Sequence, residues 1–189
     1  MTEDKRDGTT NAWLPGDLEP RERVARILRV DHAGEYGAKR IYDGQLAVLG
    51  RHGAAAQQIR HMHAQELRHL KKFETLIAER RVRPTVLTPL WHMAGYALGA
   101  ATALMGERAA MACTIAVEEV IDEHYRRQAE SLGPEEAALK EEILAFRKDE
   151  LDHRDTAIAA GGTSIAGYTL LSSAIKAGSR LAIFLSERL

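Results

Sequence analysis

"GPEEAALKEEILAFRKDELDHRD", residues 133–155, has the spacing of an amphipathic helix with one contradiction inside it. Leu139, Ile143 and Phe146 recur at steps of four and three, which keeps them on one face at 3.6 residues per turn. The next positions on that stripe are Glu150 and His153. A carboxylate and an imidazole therefore stand where the helix should turn toward a core. Polar residues at such positions mean either a misassigned face or a function.

The contradiction recurs along the chain. In the segment around residues 59–76 the stripe reads Ile59, Met62, Glu66, His69, Phe73, Leu76, again with Glu-x-x-His between apolar neighbours. An earlier stripe, Leu28, Asp31, Glu35, Ala38, Tyr42, Leu46, Leu49, carries a lone Glu at its middle. So does Met111, Ile115, Glu118, Ile121, Tyr125. Glu66 lies 31 residues after Glu35, and Glu150 lies 32 after Glu118. The chain thus reads as two copies of one helix pair, each with a lone Glu followed by Glu-x-x-His.

Four carboxylates on core-facing stripes repel one another, and an unpaired buried carboxylate costs several kcal/mol even after relaxation. The stripes offer no Lys or Arg to neutralise them. Two divalent cations would balance four carboxylates, which can also bridge two metals. An oxygen-rich site with one imidazole per metal suits iron, with manganese second, better than structural zinc. A Glu from each of two helices plus Glu-x-x-His from each of two others is the dinuclear pattern of ferritin-like bundles. The six candidate ligands are Glu35, Glu66, His69, Glu118, Glu150 and His153. Tyr125, on the Glu118 stripe, is a candidate catalytic residue. Asp31 and Asp122, one turn from Glu35 and Glu118, are candidate hydrogen-bond acceptors for the ligating histidines. His63 also shares a face with Glu66, but the second repeat has Arg147 at the matching place, so His69 is preferred. Cys113 reads as a small buried residue.

The remaining sequence agrees with an all-α domain. Strand-like alternation is weak. Helices are expected near 20–49, 53–80, 86–104, 107–131, 134–159 and 164–187, punctuated by Gly50, Gly53, Pro84, Pro89, Pro134 and Gly161-Gly162. The expected fold is a ferritin-like four-helix bundle with two additional apolar helices, 86–104 and 164–187. Residues 1–20 read as a flexible polar tail with neither secretory nor transit character, and 21–189 as one domain. With 189 residues and a formal net charge of −1, a sizeable core is expected and nucleic-acid binding is not. A single cysteine excludes a disulfide framework. No run reaches the roughly 18–20 apolar residues of a spanning helix. Segment 86–104, flanked by Arg80, Arg81 and Arg83, suits a membrane surface.

At these residues the chain resembles the demethoxyubiquinone hydroxylase family, ferritin-like di-iron monooxygenases of ubiquinone biosynthesis. The likeness runs from about residue 22 to the C-terminus, through "RVDHAGEYGAKRIYDGQ", "HMHAQELRHL", "ACTIAVEEVIDEHY", "KDELDHRD" and "AIKAGSRLAIFLSERL". The resemblance implies two iron ions, one served by Glu35, Glu66 and His69, the other by Glu118, Glu150 and His153, with Glu66 and Glu150 bridging. It implies O2-dependent hydroxylation of a polyprenyl quinone precursor and peripheral attachment to the membrane holding that lipid. Association with other ubiquinone-biosynthesis proteins follows from the same resemblance, and a homo-oligomer is compatible with it. The expected location is the cytoplasmic face of a bacterial inner membrane, with the matrix side of the mitochondrial inner membrane as the alternative. Two other readings stay open on the residues alone. One is a ferritin-like iron-handling shell, against which the apolar segments count, and the other is a non-enzymatic bundle whose acids face water.

Overall fold

The computed structural model describes residues 18–50 and 52–189, and every regular element in them is helical. Six helices follow one another: α1 Pro20–Leu49, α2 Ala54–Glu79, α3 Thr88–Leu104, α4 Glu107–Ser131, α5 Ala137–Ala159 and α6 Tyr168–Ser186. The expected tail lies outside the described residues except for its last three. Pro20 opens α1 in the first turn, where its missing N–H leaves no bond unmade. Two expected helix starts shift inward. Pro134–Glu136 forms a 3-10 turn before α5, and Gly162–Ser164 another before α6. Gly167, at φ 76°, takes the left-handed conformation that separates this second turn from α6.

α1 pairs with α2 and α4 with α5, and the two hairpins face each other to make the four-helix core. One apolar cluster joins Ile27 and Leu28 of α1 to Phe73 of α2 and to Ile143 and Phe146 of α5. Another joins Tyr42, Ile59, Met62, Met111, Ile115 and Ala157. Leu28, Ile59, Phe73 and Ile143 are fully buried, and each contributes about 1.5–3 kcal/mol relative to an exposed position. The candidate ligands belong to the same stripes as these two clusters.

α3 lies along α1 and α6 along α4, outside that core. The approach of α3 to α1 is set by absent side chains. A Cβ on Gly99 would collide with the backbone of Ile41, and one on Gly44 with the backbone of Tyr96. α3 buries its small residues, Gly95, Gly99, Thr102 and Ala103, and turns its large ones outward. Met93 is 72% and Leu104 76% exposed. α6 does likewise, burying Ser172, Ile175 and Ser186 while Leu181 and Phe184 are exposed and Leu170 is 79% so. The Trp91 indole donates to Ser186 Oγ at 3.0 Å, joining the start of α3 to the end of α6. Among the described residues no helix is long and apolar enough to cross a membrane.

Candidate metal centre

The four core helices each send candidate ligands inward. Glu35 comes from α1, Glu66 and His69 from α2, Glu118 from α4, and Glu150 and His153 from α5. All six are buried. Glu35, Glu66, His69 and Glu150 each place one oxygen or nitrogen within 4.8 Å of the others, and Glu66, Glu118, Glu150 and His153 do the same. Glu66 and Glu150 belong to both sets, so they stand between two positions that could each hold a cation. His69 Nδ1 is 3.1 Å from Glu150 Oε1 and 3.5 Å from Glu35 Oε2. His153 Nδ1 is 3.0 Å from Glu150 Oε2 and 3.3 Å from Glu66 Oε1.

The residues behind these ligands are arranged crosswise between the two repeats. His69 Nε2 donates to Asp149 Oδ2 at 3.0 Å, and His153 Nε2 donates to Gln65 Oε1 at 3.2 Å. Each acceptor is the residue immediately before a Glu-x-x-His, and each serves the other repeat's histidine. With Nε2 engaged outward, Nδ1 of both rings faces the carboxylates, the tautomer a metal ligand needs. The tyrosines follow the same rule. Tyr42, seven residues after Glu35, donates to Glu118 Oε1 at 3.0 Å, while Tyr125, seven after Glu118, donates to Glu35 Oε1. The His69 ring also stacks on Phe146, with centroids 4.1 Å apart, which fixes its plane.

Electrostatics match a cation-binding cluster. Burial pushes the Glu66 carboxyl well above the usual range, and repulsion from Glu150, Glu35 and Glu118 adds to it. Burial and Glu150 do the same to Glu118, against the opposing pull of His153. Glu150 goes the other way: burial raises it, but the adjacent imidazoles of His153 and His69 prevail and hold it at about 2. Burial lowers His69, yet Glu150 and Glu35 override it and push the ring up to about 12. Glu35 Oε2, Glu66 Oε1, both oxygens of Glu150 and Nδ1 of His69 and His153 lack any hydrogen-bond partner. Buried polar atoms left this way are costly unless something else satisfies them, and these all point at one another. Four converging carboxylates and two imidazoles, all but Glu118 with an unpartnered buried atom, fit two divalent cations.

Sequence reasoning placed the six inward-facing residues and missed what surrounds them. The histidines are held by Asp149 and Gln65, not by Asp31 and Asp122. Asp31 accepts a 2.7 Å bond from Gln128 and lies 3.5 Å from His124, while Asp122 accepts from Arg147 at 2.6 Å. Both turn to partners outside the cluster because they sit a full turn along the helix, beyond reach of the opposing rings. The available signal was the matched polar residue preceding each Glu-x-x-His. Tyr42 is the second omission, and its equal spacing with Tyr125 was legible. His63 pairs with Asp43 at 2.9 Å, outside the cluster. Cys113 is fully buried, and burial pushes its thiol up to about 12, so it serves as packing.

The family of ubiquinone biosynthesis protein COQ7 matches residues 22–186. A 3-demethoxyubiquinol 3-hydroxylase from Rhodospirillum rubrum is 57% identical over 180 residues, covering 95% of this chain and 85% of its own. The mitochondrial NADPH-dependent 3-demethoxyubiquinone 3-hydroxylase of Rattus norvegicus is 54% identical over 172 residues, covering 89% and 79%. The mitochondrial 5-demethoxyubiquinone hydroxylase of Saccharomyces cerevisiae is 43% identical over 180 residues, covering 87% and 77%. With the match spanning nearly the whole helical domain, this chain belongs to the COQ7 family of ubiquinone biosynthesis proteins.

Proposed function

We propose that this chain is a di-iron monooxygenase that hydroxylates the ring of a demethoxyubiquinone-type precursor, using O2 and a reductant. The observation that carries the reading is the convergence of four buried carboxylates and two buried imidazoles, five of the six with an unpartnered atom, in a chain of this family. Glu35, Glu66 and His69 would hold one iron and Glu118, Glu150 and His153 the other, with Glu66 and Glu150 standing between the two positions. When bound, the iron supplies the redox and O2 chemistry that no amino-acid side chain provides. The protein's part is position and dryness. Asp149 and Gln65 fix the two rings, Tyr42 and Tyr125 hold Glu118 and Glu35, and the apolar clusters on either side exclude water. Tyr125 also has a phenol proton at Glu35, where a proton can be delivered or held. The reductant proposed is NADPH, which the name of the rat relative gives for that protein.

A cavity of 580 Å³ supports a lipid-like substrate. Its walls are almost wholly apolar, with Gly34, Ala38, Val117, Ile121, Leu98 and Ile175 among them. Gly34 and Ala38 flank Glu35 in the chain, and Val117 precedes Glu118, so the cavity follows the far side of the ligand-bearing helices under α3 and α6. A polyprenyl tail fits such walls, and the exposed apolar residues of α3 and α6 fit peripheral contact with the membrane that carries it. The test is direct. Iron-loaded protein, given reductant, O2 and a demethoxyquinone, should yield product one oxygen atom heavier; no product at full iron occupancy would sink the reading.

A further inference from the structure

At one end of the bundle, the first turns of α1, the segment after α2 and the α4–α5 connection enclose a cavity of 950 Å³. Six arginines line it, Arg21, Arg23, Arg29, Arg80, Arg81 and Arg83, against three carboxylates. Two of those carboxylates are already engaged. Glu136 receives a two-pronged ion pair from Arg80, both arms 2.7 Å, and Glu130 pairs with Arg126 at 2.8 Å. Arg21, Arg81 and Arg83 have no carboxylate within ion-pair distance among the described residues. The half-buried Arg29 is pinned by its Nε bond to the Arg83 carbonyl at 3.0 Å, which also fixes the backbone of that wall. Among the described residues the cavity therefore carries an excess of guanidinium over carboxylate groups.

The backbone adds an independent observation. α2 ends with Val82 N–H donating to the Ile77 carbonyl at 2.8 Å and Arg81 N–H to that of Ala78 at 3.2 Å. That closure puts residue 81 in the left-handed region, and Arg81 has φ 54°, the only non-glycine with positive φ among the described residues. Glycine fills this place in most helices because a β-carbon is strained there. Strained positions of this kind cluster at functional sites.

We propose that this cavity is a phosphate-binding site, taking the phosphate groups of a phosphorylated ligand. Guanidinium forks suit phosphate oxygens, and several converging on one cavity suit more than one phosphate. The cavity shares Arg23 and Ser131 with a neighbouring cavity of 730 Å³ whose walls include His124 and Gln128, the partners of Asp31. Two sources offer this chemistry: the phosphates of a dinucleotide reductant, which rests on the function proposed above, and the headgroup of an anionic lipid, which does not.

The experiment titrates the full-length, iron-loaded chain with inorganic pyrophosphate and with NADPH. In parallel it measures flotation on phosphatidylglycerol vesicles against phosphatidylcholine vesicles. The variants are Arg81→Gly and Arg83→Gln, with Arg154→Gln, an arginine on α5 outside both cavities, as the charge control. Wild type should bind pyrophosphate, and either cavity variant should weaken it by about tenfold or more while the control does not. Arg81→Gly should also melt at a higher temperature than wild type, which separates lost binding from lost folding. NADPH affinity falling in parallel assigns the phosphates to a dinucleotide; vesicle binding falling instead assigns them to a lipid headgroup. No pyrophosphate binding by wild type, or equal binding by the cavity variants, overturns the proposal. Failure of hydroxylation with pyrophosphate binding intact would overturn the enzymatic reading alone.

Discussion

The four core helices and the two flanking helices break the same rule in opposite directions. α1, α2, α4 and α5 bury charge: four glutamates and two histidines stand inside, facing one another. α3 and α6 expose apolar bulk: Met93, Leu104, Leu170, Leu181 and Phe184 stand outside, while glycines, Thr102, Ser172 and Ser186 face the bundle. Each inversion is unfavourable in an isolated soluble protein, because buried carboxylates repel and exposed apolar patches attract other surfaces. On the function proposed above, cations would offset the first inversion and a lipid surface the second. The lesson is that a misplaced residue type names the class of ligand it awaits.

The sharpest way to break the comparison is Glu66→Ala, which removes one of the two shared carboxylates. Metal content measured after iron loading should fall to background, with hydroxylation down by more than about a hundredfold. The metal-depleted variant should melt no lower than wild type, because one of four repelling carboxylates is gone. Normal metal content would return the cluster to ordinary packing. Asp149→Ala keeps all six ligands and frees only the His69 ring, so it should weaken iron binding by about ten- to a hundredfold in a competition titration. Gln65→Ala should mirror it through His153, and unequal effects would show how far the two halves differ.

On the flanking side, Gly99→Ala forces a β-carbon against the Ile41 backbone and should destabilise by about 1–3 kcal/mol in denaturant titration. A neutral result would mean that α3 is only loosely seated. Proton linkage offers a gentler probe of the core. Burial and Glu150 raise the pKa values of Glu66 and Glu118, and Glu150 and Glu35 raise His69 to about 12, so protons compete with metal at this cluster. Apparent iron affinity should therefore rise with pH as that competition falls away, with proton release visible in weakly buffered calorimetry. Smallest of all should be Met93→Ser with Leu170→Ser. Both side chains are exposed, so stability should change by less than about 0.5 kcal/mol while binding to lipid vesicles falls.

Much of this was open to reading because helical periodicity is local. The stripe through Leu139, Ile143 and Phe146 had to carry Glu150 and His153 to the same face, and it does. Helix ends were legible where Pro20 or Gly50 forces them, and drifted where a 3-10 turn intervenes at Pro134 and Gly162. The six buried candidate ligands were legible too, since repetition at matched spacing singled them out from many charged residues. What surrounds the ligands was not. Asp149 and Gln65 look like ordinary surface residues until the two hairpins face each other, and only then does each reach the other repeat's histidine.

The chain by itself determines which faces turn inward, because 3.6-residue geometry leaves no choice once the apolar residues are set. It therefore determines that acids and imidazoles meet inside a bundle. Only the tertiary structure decides the crosswise pairing of Tyr42 with Glu118 and Tyr125 with Glu35, the closeness of α3 to α1 through Gly99, and the gathering of six arginines from distant segments around one cavity. Those contacts join residues far apart in sequence, and no local periodicity records which helix will stand opposite which.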